Sequence, residues 1–483
     1  MNKATVIKSL IYKFTERFAV KGLGLVISII LARLLAPDLF GQLAILTVFT
    51  ELSLTLVDGG LSTALVQSRT ADDKDYSTVF YITLSLSAIM VTVLYFLAPV
   101  IAAYYNSPLL VMPLRFYSLS LFFSAFNSMQ VARMQREMRF REMMFCNLAA
   151  TVIAGTLGIS LAFAGFGLWA LVGYFFAQIA VSCAAMALTL RWFPHSRFSV
   201  DSAKRLYGFG IKMLAASIIT TLYNNIRPLI IGKRFSTTSL GYYERGQRFS
   251  STVSMNLDSA VQSVMFPVLA RAQDDREQLR LMLRRTQTMG AFIIFPVMVG
   301  MAAVAEPMVR VLLTDKWLPC AVFIQILCLA EAQVPLTSAN LVIMKAMGRS
   351  DILMRQEVLR RSVMLTVLLI SVFAFDSVTA IAVGFFISAW LDAFITSRPV
   401  KKLVGYGFSD QMRDLWPCML SCLVMGGIVY IINLLTMPDI AKLLLQAVCG
   451  AAVYVVMCRL LRVESFMYIL NMLGQKRGKN NVK

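Results

Sequence analysis

The chain has 483 residues, 58% hydrophobic and 15% charged, and its 46 Lys and Arg outnumber 26 Asp and Glu for a formal net charge of +20. That apolarity excludes a soluble globular protein, and one histidine, His195, leaves a histidine-based metal or acid–base centre without material. Apolar runs of about 20 residues, enough to cross ~30 Å of hydrocarbon, recur without strand-like alternation, so the predicted fold class is an all-α polytopic membrane protein.

Breaks at polar and Pro/Gly clusters predict fourteen transmembrane helices. They lie near 12–36, 40–66, 78–103, 110–132, 143–164, 168–191 and 208–232, then near 240–270, 286–305, 318–344, 358–374, 378–398, 415–435 and 440–460. The Lys and Arg residues concentrate in the N-terminal segment (Lys3, Lys8, Lys13) and in 67–77, 133–142, 191–212, 271–285, 345–361, 398–413 and the tail after 458, which together hold 34 of the 46. The opposite connections carry almost none, so the positive-inside rule places both termini in the cytoplasm. The net charge is then a topology signal, and no nucleic-acid partner is implied.

The N-terminus leads into a long helix without a small-residue cleavage site, so no removable signal is expected. The eight cysteines lie in or beside apolar spans; Cys418 and Cys422, four apart on one helix, read as packing residues. Connections are short, there is no Walker loop or dinucleotide fingerprint, and no large loop for a catalytic site, so an enzyme is not expected.

Shifting the sequence by 200 residues brings Ile30 onto Ile230, Gly41 onto Gly241, Phe49 onto Phe249 and Asp58 onto Asp258. Similarly, "VGYFF" at 172–176 resembles "VGFFI" at 383–387. The pattern predicts two parallel-repeat six-helix lobes, 1–195 and 196–400, then a helix pair within 401–462 and a basic cytoplasmic tail, 463–483.

Within the first helix Lys13, Arg17 and Lys21 form one stripe at i, i+4, i+8. The stripe either faces a wet cavity and meets an anionic ligand, or Arg17 and Lys21 snorkel to the cytoplasmic headgroups. The seventh helix carries "YNNIRP", in which Asn224, Asn225 and Arg227 interrupt an apolar run. Arg245 follows the next turn. Amides can bond sugar hydroxyls and Arg can grip phosphate oxygens with two donors; the alternative is an ion pair of Glu244 with Arg248 or Arg227. Among acids, Glu51 is mid-helix and is the better candidate for coupling to H⁺ or Na⁺. Asp58, before Gly59 and Gly60, reads first as a helix-end residue, with Asp258 as its repeat mate; Glu331 and Asp392 are further intramembrane acids.

The chain also resembles a known family, the polysaccharide-transporter (Wzx-like) branch of the MOP flippase superfamily, near colanic-acid and teichuronic-acid exporters. The resemblance rests on "FGQLA" (40–44), "DGGLSTALVQ" (58–67), "MQREMRFRE" (134–142), "IIGKRFSTTSLGYYERGQ" (230–247), "MFPVLARAQDD" (265–275) and "DKW" with "IQILC" (315–328). It implies a MATE-like, fourteen-helix, two-lobed transporter that flips undecaprenyl-diphosphate-linked oligosaccharides by alternating access. Such a protein has a cationic cavity, which Arg17, Lys21, Arg227 and Arg245 fit. Membrane lipids are further partners, and a polysaccharide polymerase and chain-length regulator are candidate protein partners. No cofactor is expected beyond a coupling H⁺ or Na⁺. The competing readings are a MATE-like drug antiporter, which the basic interior disfavours, and a membrane glycosyl polymerase, which the short external loops disfavour.

Overall fold

The computed structural model describes residues 3–67, 72–196, 198–271 and 275–471, with side chains described from residue 19 onward apart from a few short stretches. The expected basic tail, 463–483, therefore lies in large part outside the described residues. The chain packs as two compact units, Met1–Gly241 and Tyr242–Lys483.

The first unit contains α1 (Lys3–Leu34), α2 (Pro37–Asp58), α3 (Leu61–Gln67), α4 (Asp73–Tyr104), α5 (Val111–Ser118) and α6 (Ser120–Arg136). It continues with α7 (Phe140–Phe163), α8 (Leu168–Leu190), α9 (Val200–Arg234) and the first turn of α10 (Thr237–Arg271). Local chemistry sets the boundaries. Pro37 opens α2, where its missing amide costs nothing, and Gly59, in the left-handed region at φ 56°, closes it. Asp72 and Asp75 cap α4 reciprocally. Asp75 is fully buried and receives both its short bonds, at 2.6 Å, from one Arg205 nitrogen at the foot of α9.

Lipid gives little hydrophobic drive between helices, so contact depends on close packing around small residues. A Cβ at Gly155 of α7 would lie 2.3 Å from Ile27 of α1, and one at Gly158 would lie 2.7 Å from Cβ of Tyr174 on α8. At Gly158 the obstacle is a Cβ that no rotamer change can move, so glycine is needed there, whereas at Gly155 the end of the Ile27 side chain would have to turn aside. Leu61, Leu65, Val79, Met129 and Trp192 form a core beneath α3.

The second unit holds the rest of α10, α11 (Arg276–Ala303), α12 (Ala305–Leu312), α13 (Cys320–Glu331), α14 (Val334–Ala346) and α15 (Ser350–Ala374). It ends with α16 (Val378–Val404), α17 (Phe408–Ile431) and α18 (Asp439–Leu460). Gln287, Asn340 and Gln411 meet fully buried at its centre. Both glutamine amides donate to Oδ1 of Asn340 at 3.0 Å, which ties α11, α14 and α17.

The repeat extends to backbone detail. The α6–α7 joint ends its first helix at Arg136, has Met138 at φ 57° and starts the next helix after Arg139. The α14–α15 joint does the same 210 residues later, with Ala346, Gly348 at φ 67° and Arg349. Each of the two arginines pairs with a carboxylate just ahead, Glu142 or Asp351.

Ten helices among the described residues are long and apolar enough to cross a membrane. Four more of the predicted spans correspond to α1, α9, α10 and α15, which are 32, 35, 35 and 25 residues long but are interrupted by polar and charged residues. Several helices run further than expected. Because α15 begins at Ser350 rather than near 358, Arg355 is a helical residue and not a loop cation. Similarly, the stretch 305–318, expected as a loop, holds α12 and a turn of 3₁₀ helix.

Candidate functional site

In the first unit, α2 and α9 run antiparallel and share a polar seam. Asn225 donates from Nδ2 to Glu51 at 3.2 Å, and one turn along Thr55 and Thr221 hydroxyls meet at 3.0 Å. Glu51, Thr55 and Asp58 fall on one face of α2, spaced i, i+4, i+7, while Ser217, Thr221 and Asn225, spaced i, i+4, i+8, share one face of α9. At its Asp58 end the seam opens into a cavity of about 750 Å³.

Hydroxyls and amides dominate the polar part of this wall. Thr55 and Thr221 from the seam are joined by Ser124, Asn127, Ser128 and Gln135, which form a stripe on α6. One carboxylate, that of Asp58, lines the cavity, and no Lys or Arg does among the described residues. Oδ1 of Asn127 is buried with no hydrogen-bond partner among the described residues. Leu54, Val57 and Ile179 supply apolar wall. Such a surface can bond many hydroxyls without attracting an anion.

Cation density lies further along α9. Arg227 is six residues past Thr221, about 9 Å along the helix axis. It is only 6% exposed, bonds the Tyr223 hydroxyl at 3.1 Å and lies over that ring at 5.6 Å. Pro228, immediately after, has no amide to donate to the carbonyl of Asn224, whose own side chain is exposed. Lys21 is also exposed. Arg17 belongs to α1, but its side chain lies outside the described residues.

The remaining candidates belong to the second unit. Arg245 is 5% exposed and its guanidinium sits 5.1 Å from the ring centre of Trp317. Two acids are brought to one face of α10: Glu331 accepts from Ser254 at 2.7 Å, and Asp258 accepts from Ser338 at 2.6 Å and more weakly from Gln262 at 3.4 Å. Asp258 does not end a helix, contrary to the expectation from its repeat mate. Asp58 precedes two left-handed glycines, whereas Ser259 and Ala260 follow Asp258 and α10 continues to Arg271. Asp392 is buried and paired with Arg360 at 2.7 Å.

Sequence reasoning missed the α6 stripe. Its signal was present: Ser124, Asn127, Ser128 and Gln135 recur at i, i+3, i+4, i+11, a polar line on a helix whose first half is otherwise mostly apolar.

The sequence model described as "Polysaccharide biosynthesis protein" matches residues 30–322. The chain belongs to this family. Among curated relatives, it is 24% identical over 353 residues to the succinoglycan biosynthesis transport protein ExoT of Rhizobium meliloti (strain 1021), covering 73% of this chain and 72% of ExoT. It is likewise 24% identical over 406 residues to the lipopolysaccharide biosynthesis protein WzxC of Escherichia coli (strain K12), covering 82% and 81%. Its fold is similar to that of the lipid II flippase MurJ in an inward closed conformation, with a TM-score of 0.74 at 15% identity over 94% of this chain and 98% of MurJ. An inward-facing multidrug resistance MATE transporter of the MOP superfamily aligns at a TM-score of 0.60 and 15% identity, over 81% and 95%. This family member is thus an all-α, multi-pass membrane protein whose fold is that of the MurJ and MATE structures, and the names of its curated relatives place them in polysaccharide biosynthesis, ExoT as a transport protein.

Proposed function

We propose that this polysaccharide biosynthesis protein is a flippase that moves polyprenyl-diphosphate-linked oligosaccharide repeat units across the bacterial cytoplasmic membrane by alternating access. The observation that carries this reading is the pairing, along one helix, of two kinds of surface that such a substrate needs. Thr221 and Ser217 of α9 face a hydroxyl- and amide-lined cavity, and Arg227 of the same helix offers a buried guanidinium. A lipid-linked sugar diphosphate is polyhydroxylated at one end and doubly anionic beside it, and the two surfaces are spaced on that scale. A drug antiporter for cationic compounds has no use for a buried cation at this place.

In this reading Arg227, Lys21, Arg17 and Arg245 are diphosphate contacts, and Asn224 and Asn225 serve the first sugar. Glu51, held by Asn225, is the candidate for H⁺ or Na⁺ coupling, with Asp58, Asp258 and Glu331 as further acids. The termini lie in the cytoplasm, as the Lys and Arg distribution indicates, and a polymerase and chain-length regulator take over the product on the far side. The chain performs no catalytic step and needs no bound cofactor.

The test is translocation of a fluorescent polyprenyl-diphosphate oligosaccharide in proteoliposomes. Replacing Lys21 and Arg227 together by Gln is expected to abolish translocation while the protein still inserts and purifies as a monodisperse species. A normal rate in that double variant removes the cationic mechanism.

A further inference from the structure

The two units present repeat-related carboxylates in different settings, and the difference bears on which glycan is accepted. Asp58 and Asp258 are 200 residues apart, and each accepts from the residue one turn ahead, Ser62 or Gln262. The α6–α7 and α14–α15 joints fix an offset of 210 for the helices opposite them, which makes Ser128 the counterpart of Ser338. In the second unit that serine closes directly on the acid at 2.6 Å. In the first unit Asp58 and Ser128 instead both line the cavity of about 750 Å³, which places the carboxylate on its wall.

That wall has a definite chemical bias. Six lining residues carry hydroxyls and two carry amides, while Asp58 is the sole charge among the described residues. Asn127 adds a buried acceptor with no partner among the described residues. Acceptors of this kind are completed by the hydroxyl and N-acetyl donors of a saccharide. A substrate carboxylate brought there would meet Asp58 on the wall, with no lining cation among the described residues to offset it. The volume accommodates a few sugar rings, since small-ligand pockets of about 300–1,000 Å³ enclose drug-sized molecules.

We propose that this cavity is the saccharide subsite and that Asp58 makes it a charge filter, admitting neutral or N-acetylated sugar units and rejecting uronate-bearing ones. This rests on the flippase reading, and it assigns to the first unit a selectivity that the cationic residues do not supply. Arg227 takes the diphosphate, which every substrate shares; Asp58 inspects the sugars, which differ.

The experiment compares two fluorescent polyprenyl-diphosphate tetrasaccharides in proteoliposomes of the full-length protein, one neutral and one with a single glucuronate replacing glucose. The wild-type chain is expected to move the neutral probe about tenfold or more faster than the acidic one. Asp58→Asn, which keeps the size and an acceptor for Ser62, brings that ratio towards unity by raising the acidic rate. Asn127→Asp, which adds a second carboxylate to the wall, raises the ratio further, and it decides the matter should Asp58→Asn fail to purify. A ratio near unity in the wild-type protein, or one that neither substitution moves, overturns the filter while leaving the flippase reading intact. Movement of neither probe above protein-free liposomes overturns the flippase reading itself. Equal loss of both probes in Asp58→Asn shows a structural or coupling acid and also overturns the filter.

Discussion

Asn225 of α9 holds Glu51 of α2 through a single amide hydrogen bond of 3.2 Å, and the same Nδ2 also donates to the Thr221 carbonyl at 2.9 Å. The amide is therefore fixed to its own helix and presents a fixed donor to the acid. A carboxylate so held can gain a proton or a cation without the helices moving first, which is what a coupling site requires. Glu51→Gln retains an acceptor for Asn225 and removes only the charge. The expected outcome is a fall of about tenfold or more in gradient-driven translocation, with exchange in the absence of a gradient preserved. Equal gradient-driven rates in the variant and the wild-type protein would exclude Glu51 from coupling.

The membrane class and the all-helical character were legible in the sequence because they depend on hydropathy and period, which survive without contacts. Gly41 and Gly241 could be matched by a shift of 200 residues, yet nothing in the sequence says that they touch. The cavity was not legible for a related reason. Serine and threonine return their hydroxyl bonds to the preceding turn, as Ser128 does to Ala125, and so pass for apolar residues in a hydropathy profile. The charged positions were legible as types and not as partners. Arg360 counted as one more cytoplasmic cation until the packing of α15 on α16 placed it opposite Asp392.

The Gly41–Gly241 contact gives a stability prediction. A Cβ at Gly41 would lie 1.7 Å from the Thr237 carbonyl oxygen, and one at Gly241 would lie 2.1 Å from that of Pro37. Both obstacles are backbone and cannot rotate away, so the start of α2 and the first turn of α10 must part. Gly41→Ala or Gly241→Ala is expected to cost about 1–3 kcal/mol, and the double variant less than the sum because both relieve one contact. Gly427→Ala is the control, since nothing lies within 4 Å of its added Cβ. Thermal midpoints in detergent check this; a Gly41→Ala midpoint as high as that of the control would show that the contact is not tight in the folded protein.

The Arg360–Asp392 pair separates two roles for a buried charge. Asp392 is 4% exposed, and its carboxylate takes two bonds from the Arg360 guanidinium, of which the Nη2–Oδ2 bond is 2.7 Å. Arg360 also reaches Glu357 at 3.0 Å, and Glu357 in turn is bonded by Arg361 at 2.8 Å. Removing Asp392 takes from Arg360 the buried carboxylate and leaves it the half-exposed Glu357, whereas removing both leaves Glu357 still served by Arg361. Asp392→Leu alone is therefore expected to destabilise the second unit by about 3–5 kcal/mol, and Arg360→Met with Asp392→Leu to recover most of that loss. If translocation also returns in the double variant, the pair is structural. If stability returns and translocation does not, the pair opens during transport, because the energetic penalty and the functional one then have different origins. Thermal midpoints and proteoliposome rates measured on the same three proteins decide between these outcomes, and a single variant as stable as the wild-type protein would contradict the burial argument.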